Sequence, residues 1–128
     1  MTRLSLQLLE GEFAVAQVQP TDPIPPSVLA ADWFSITRTA DELSIVAPAS
    51  HVTGLSTCET GWAMMKLIGP FAFDLTGIVA GISDVIAKAE IGIFVLSTYD
   101  TDYVLVKSKH CEQAIDALTT AGYNVIRN

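Results

Sequence analysis

The chain has 128 residues, half of them hydrophobic and 16% charged, with fourteen Asp and Glu against seven Lys and Arg for a net charge of −7. That length and composition fit one ordinary domain, or two very small ones sharing a core, and exclude a disordered chain. The acidic balance, with no basic run anywhere, argues against nucleic acid and against anionic membrane surfaces, which attract proteins through cations on phosphate.

Residues 4–9 (LSLQLL) alternate apolar and polar, which predicts a half-buried strand. Gly11 marks a turn, and FAVAQV at 13–18 predicts a second strand ended by Pro20. Three prolines between residues 21 and 26 remove backbone donors and fix φ, so a loop is expected there, leading into one helical turn at 27–31. Residues 33–38 and 43–47 predict a strand pair around Thr39, Ala40, Asp41 and Glu42. Residues 48–59 read as a short helix or an irregular connection. Gly61 opens the next strand, 62–68, which stops at Gly69-Pro70.

The strongest helix follows. Ile78, Ile82, Val85, Ile86 and Ala89 form one continuous apolar face. Asp74 or Thr76 is expected to cap its first amides, and Gly92 to end it. Residues 92–107 (GIFVLSTYDTDYVLVK) then carry two runs of strand-forming residues around a polar centre, a β-hairpin with hydroxyls and carboxylates at its tip. A second helix is expected from about 109 to 121, capped by Ser108, with Cys111, Ile115 and Leu118 on one face and Gly122 as its stop. Residues 123–127 form a last strand. The second half therefore reads βαββαβ, an α+β, ferredoxin-like order with two helices on one face of an antiparallel sheet.

A weak repeat runs through the chain. FSITRTADELSIV (34–46) aligns without gaps on FVLSTYDTDYVLV (94–106) at an offset of sixty residues. Phe34 meets Phe94, Thr37 meets Ser97 and Val46 meets Val106. Upstream, GEFAVAQVQP resembles GWAMMKLIGP. Two related half-domains are expected, 1–61 and 62–128, the first of them degenerate.

The stretch FDLTGIVAGISDVIAKAEIGIFVLSTYDTDYVLVK (73–107) resembles the ACT domain family. It looks most like a tandem branch found in small bacterial proteins and in animal arginine sensors. The likeness implies a non-enzymatic regulatory module that pairs its sheets side by side, as in a homodimer. It also implies an amino acid or similar small ligand held at the interface between units. Carried residue by residue, the ligand-contacting positions are Phe73, Asp74, Leu75, Thr76, Gly77 and Ile78, then Ser97, Thr98, Tyr99 and Asp100. The prolines of the first half depart from the pattern and put a second site there in doubt. A module that only oligomerises or binds another protein, with no ligand, is the alternative.

Elementary chemistry supports the same positions. A helix's first turn offers unpaired amides to a carboxylate, and an ammonium would find Asp74, with Asp100 and Asp102 as second candidates. Ser97 and Thr98 can donate and accept. Each residue also has a plainer use: Asp74 as a cap, Gly77 and Gly81 as helix-packing glycines, Asp100 as a turn residue, Ser97 and Thr98 as strand residues, Tyr99 and Tyr103 as packing. Trp33 and Trp62 read as core or interface anchors.

No cofactor and no catalytic residue is expected: nucleophile motif, P-loop and GxGxxG are all missing from the sequence. Asp100 and Asp102 as an acid–base pair fit a solvated hairpin tip equally well. His51, His110 and Cys111 do not have the spacing of a zinc site, since adjacent helical residues point about 100° apart. Cys58 and Cys111 are expected to be reduced, partly buried thiols. No apolar run reaches the roughly 20 residues of a membrane span, and Glu10 interrupts the N-terminal stretch before any cleavage site. A cytoplasmic location is the expectation.

Overall fold

A computed structural model of the chain describes residues 4–68 and 77–127. In chain order its elements are β1 (Ser5–Leu8), β2 (Phe13–Val18), α1 (Pro26–Leu29), β3 (Ser35–Arg38), β4 (Leu43–Pro48), a 3-10 turn (Ala49–His51) and β5 (Cys58–Leu67). Then come α2 (Ile78–Lys88), β6 (Phe94–Ser97), β7 (Asp102–Lys107), a second 3-10 turn (Ser108–His110), α3 (Cys111–Thr120) and β8 (Asn124–Ile126). They form two compact units, residues 11–62 and residues 1–10 with 63–128.

The first unit is a reduced βαββαβ motif. β2 pairs antiparallel with β4 and with the start of β5, and β3 pairs with β4. Its helices shrink to the single turn of α1 and the 3-10 turn at Ala49–His51. The core beneath so thin a cover is built from small residues: Ala14, Ala16 and Ala47 with Val28, Ile45 and Val52. Strand β5 begins four residues before the expected start at Trp62, because Gly61 lies within it. Gly61 sits at φ +79, donates its N–H to Glu12 Oε2 at 3.0 Å, and lies where the register with β2 shifts. Only glycine takes that φ without steric cost, so a residue expected to open the strand instead makes a bulge in it.

The second unit carries both full helices. Ile82 and Ile86 of α2 and Ala114, Ile115 and Leu118 of α3 bury against Met65, Leu67, Val104 and Val106. The helical spacing read from the sequence is the face that packs. One strand departs from the expected grouping: residues 4–9, assigned to the first half-domain, pair in the second unit. β1 runs antiparallel to β5, with Leu6 opposite Leu67, and parallel to β8, with Leu6 opposite Val125. β5 also pairs with β7, and β7 with β6. The added strand therefore lies between the first and last strands of the βαββαβ motif. Leu6 is fully buried there, and joining both neighbours is how a short strand satisfies its amides and carbonyls on each side.

The helix ends also differ from expectation. Gly77, at φ +81, holds the N-cap of α2 with no side-chain hydrogen bond; of the expected caps, Asp74 and Thr76, both lie outside the described residues. Ser108 does not cap α3, because it opens the 3-10 turn that precedes the helix. Gly122 does end α3, whereas α2 stops before Gly92, with Glu90 at φ 62.

Candidate ligand site

Strand β5 ends at Leu67, α2 starts at Ile78, and β6 ends at Ser97. Antiparallel pairing of β6 with β7 and the crossover helix between β5 and β6 bring these ends to one edge of the second unit. Of the expected contacts, Phe73, Asp74, Leu75 and Thr76 lie outside the described residues. Gly77 and Ile78 form the start of α2. The Ile78 side chain packs against the core, so only its backbone faces the role expected of it. Among the described residues no side chain caps the first turn, whose amides are donors at the start of a helix.

The hairpin tip is a tight, self-bonded turn. Thr98 N–H donates to Thr101 O at 2.8 Å, and Thr98 Oγ1 bonds both the Thr101 carbonyl (3.2 Å) and the Thr101 amide (3.3 Å). Tyr99 and Asp100 form the two-residue apex, with Tyr99 81% exposed. Asp100 thus stands where an aspartate stabilises chain reversal. The Ser97 hydroxyl donates to Asp102 Oδ1, so two residues considered separately form a pair, and Ser97 keeps acceptor capacity for a ligand.

Thr101 was not among the expected residues. Its side chain is buried, and Oγ1 donates to the Leu67 carbonyl at 2.6 Å. That bond ties the hairpin tip to the end of β5, where the chain leaves the sheet toward residues 69–76.

Other candidates resolve into structural uses. A Cβ on Gly81 would meet the Tyr123 hydroxyl at 2.9 Å, which makes Gly81 a packing glycine. His51 Nδ1 donates to the Ser27 carbonyl at 2.7 Å, while Ser27 Oγ donates to the His51 carbonyl at 2.7 Å, a clasp that fixes the imidazole tautomer. Among the described residues no group of His, Cys, Asp and Glu is arranged to hold a metal. Both cysteines are free thiols. Burial and the neighbouring Glu112 push Cys111 above the usual thiol range, against a smaller downward pull from Arg127. No helix of the described residues is long and apolar enough to cross a membrane.

A family model described as the ACT domain matches residues 57–120. The chain belongs to the ACT domain family. The match spans β5, α2, the β6–β7 hairpin and α3, and so includes the described elements of this site. A separate model, of an N-terminal domain, matches residues 11–54, the body of the first unit. A crystal structure of an Agrobacterium tumefaciens protein is 38% identical, with a TM-score of 0.92 over 100% of this chain and 96% of that one. A Vibrio cholerae protein of unknown function is 20% identical over 91% of this chain and 88% of its own, with a TM-score of 0.74. The ligand-free regulatory subunit of Thermus thermophilus aspartate kinase shares the ACT fold at 11% identity, with a TM-score of 0.63 over 91% of this chain and 96% of that one.

Proposed function

We propose that this protein is a non-enzymatic regulatory module of the cytoplasm that binds an amino acid or similar small ligand. The ligand is held at an interface between ACT-like units, with chains paired as a homodimer. The observation that carries the reading is the edge of the second unit. There, the first amides of α2 at Gly77–Ile78, which no described side chain caps, lie at the same end of the unit as the Ser97 hydroxyl and the self-bonded Thr98–Thr101 turn. Helix amides take the ligand carboxylate. The turn and Asp74 supply acceptors for its ammonium. Family membership and the fold shared with a regulatory subunit of aspartate kinase support the regulatory role.

The tandem branch that includes animal arginine sensors is proposed on the same terms. Its support is the paired βαββαβ plan and the relative from Agrobacterium tumefaciens that spans both units. The boundary of the two half-domains near residue 61 rests on that plan as well.

Titration calorimetry with each of the twenty amino acids tests the reading. Binding by one or a few is expected, weakened at least about tenfold by Asp74→Ala, the loss of one charged hydrogen bond. Folded protein that binds none of them would overturn it and favour the ligand-free oligomerisation module.

A further inference from the structure

The first unit has a pocket of its own. Where β2 runs out, three segments converge: the turn from Gln19 to Asp22, the β3–β4 turn at Asp41, and residues 54–57 on the way into β5. They enclose an open pocket of about 350 Å³, within the range of small-molecule sites.

Its walls are fastened to one another. Gln17 N–H donates to the Thr57 carbonyl at 3.0 Å, and Asp22 N–H to the Gln19 carbonyl at 3.0 Å. Gln19 N–H in turn donates to Asp22 Oδ2 at 3.2 Å, and Arg38 Nη2 donates to the Asp22 backbone carbonyl at 3.1 Å. The side chains of Val18 and Leu55 are half-buried, pack against the unit's core and supply apolar surface to the otherwise polar lining. Asp22 and Asp41 line it from different segments. Asp22 is half-buried with one carboxylate oxygen bonded to Gln19. The Asp41 carboxylate accepts no hydrogen bond from the described residues, its backbone N–H being bonded to Thr39 Oγ1. No lysine or arginine side chain lines the cavity.

An anion here would face two carboxylates with no lysine or arginine among the lining residues, whereas an ammonium would be attracted by both. We propose that this pocket binds a small aliphatic primary amine, its ammonium between Asp22 and Asp41 and its methylene chain on Val18 and Leu55. The proposal is independent of the ligand site in the second unit.

The test is amide NMR of the full chain titrated at physiological salt with 1,5-diaminopentane. Glutarate and 1,5-pentanediol serve as the anionic and neutral probes of equal chain length. Saturable shifts are expected with the diamine alone, at residues 17, 19, 22, 41 and 54–57. Asp41→Asn should weaken them about tenfold while leaving the rest of the spectrum in place, since Asp41 is exposed. Equal binding of the diol or glutarate would overturn the proposal. So would non-saturating shifts spread over carboxylates elsewhere on this acidic chain. Diamine shifts confined to residues 77–78 and 97–100 would also overturn it, and would bear instead on the second unit's site.

Discussion

The hairpins of the two units are built on one plan. Strands β3 and β4 and the following 3-10 turn reappear as β6, β7 and their 3-10 turn, each starting fifty-nine residues later. Both hairpins close through a Thr amide bonded to the carbonyl three residues on, Thr39 to Glu42 at 2.9 Å and Thr98 to Thr101 at 2.8 Å. Behind them the units diverge. One covers its sheet with a single helical turn, the other with helices of 11 and 10 residues. The sheet follows its cover: Ala47 in the first unit stands where Val106 stands in the second. The shared hairpin is the conserved geometry of the two halves, and helix length decides how large a core each can hold.

The largest expected effect separates the cores. Leu118→Ala, under full helical cover, should cost about 3 kcal/mol, and Val28→Ala of α1 roughly half that, because fewer atoms are lost under a shallower cover. Urea denaturation of both variants, with amide exchange to assign each loss to its unit, measures the difference. Equal losses would mean that the short α1 turn anchors its unit as firmly as a full helix.

How far this was legible in the sequence depends on what each signal encodes. Helical periodicity located α2 and α3, since a face repeating every three to four residues has no other use. The hairpin repeat was legible, but in the wrong register. A gapless match at sixty aligned Phe34 with Phe94, whereas Phe34 lies outside β3 and Phe94 opens β6. Hydrophobic identity tolerates a one-residue slip that inverts every side chain of a strand. At fifty-nine, Ile45, Val46 and Ala47 meet Val104, Leu105 and Val106, all buried, and Thr39 and Asp41 meet Thr98 and Asp100. The pairing of β1 between β5 and β8 was hidden, because strand patterns carry no address for their partner. The Thr101 bond was hidden as well, since a buried hydroxyl looks the same in sequence as an exposed one.

That bond gives the next test. Thr101 and Glu42 occupy matching places in the two turns, yet only Thr101 reaches a strand carbonyl, at Leu67. Thr101→Val should cost about 1–2 kcal/mol through the lost buried hydrogen bond, and should raise amide exchange at residues 97–102. Glu42→Ala, whose side chain accepts a hydrogen bond from Gln17 at the surface, should stay within about 0.5 kcal/mol. A silent Thr101→Val would remove the structural difference between the tips.

The two helix ends of the second unit make a finer pair. Ile91 N–H bonds Ile86 O (3.3 Å) and Glu90 N–H bonds Ala87 O (2.9 Å) after α2; Tyr123 N–H bonds Leu118 O (3.0 Å) and Gly122 N–H bonds Thr119 O (3.0 Å) after α3. Both are the same double-bonded cap, with its left-handed residue a glutamate in one and a glycine in the other. Glu90→Gly should stabilise by about 0.5–1 kcal/mol, the relief of a Cβ at positive φ less the entropy glycine adds to the unfolded chain. Gly122→Ala should destabilise by about 1 kcal/mol. Midpoint shifts of the same sign in urea would contradict the shared cap.

The smallest effect concerns a fork that only the second unit has among the described residues. Arg127 donates from Nη1 to Glu112 Oε2 at 2.9 Å and from Nη2 to Glu112 Oε1 at 2.6 Å, joining the residue after β8 to the first turn of α3. Both side chains are exposed, so salt and solvent screen the pair. The hydrogen bond from Arg127 still holds the Glu112 carboxyl below its ordinary range. A carboxyl depressed in the folded state contributes stability above its unfolded pKa, and that contribution is lost as pH falls through the folded value. Arg127→Ala should therefore flatten the acid limb of the stability profile by slightly lowering stability at neutral pH, with stability below the folded value of the carboxyl unchanged. The same guanidinium pulls the Cys111 thiol downward against burial and Glu112. Its removal should leave Cys111 more fully protonated at neutral pH and slow its reaction with iodoacetamide, because the thiolate is the nucleophile. A flatter acid limb with an unchanged alkylation rate would show that the fork acts on Glu112 alone. Faster alkylation would show that Arg127 shields the thiol sterically more than it acidifies it.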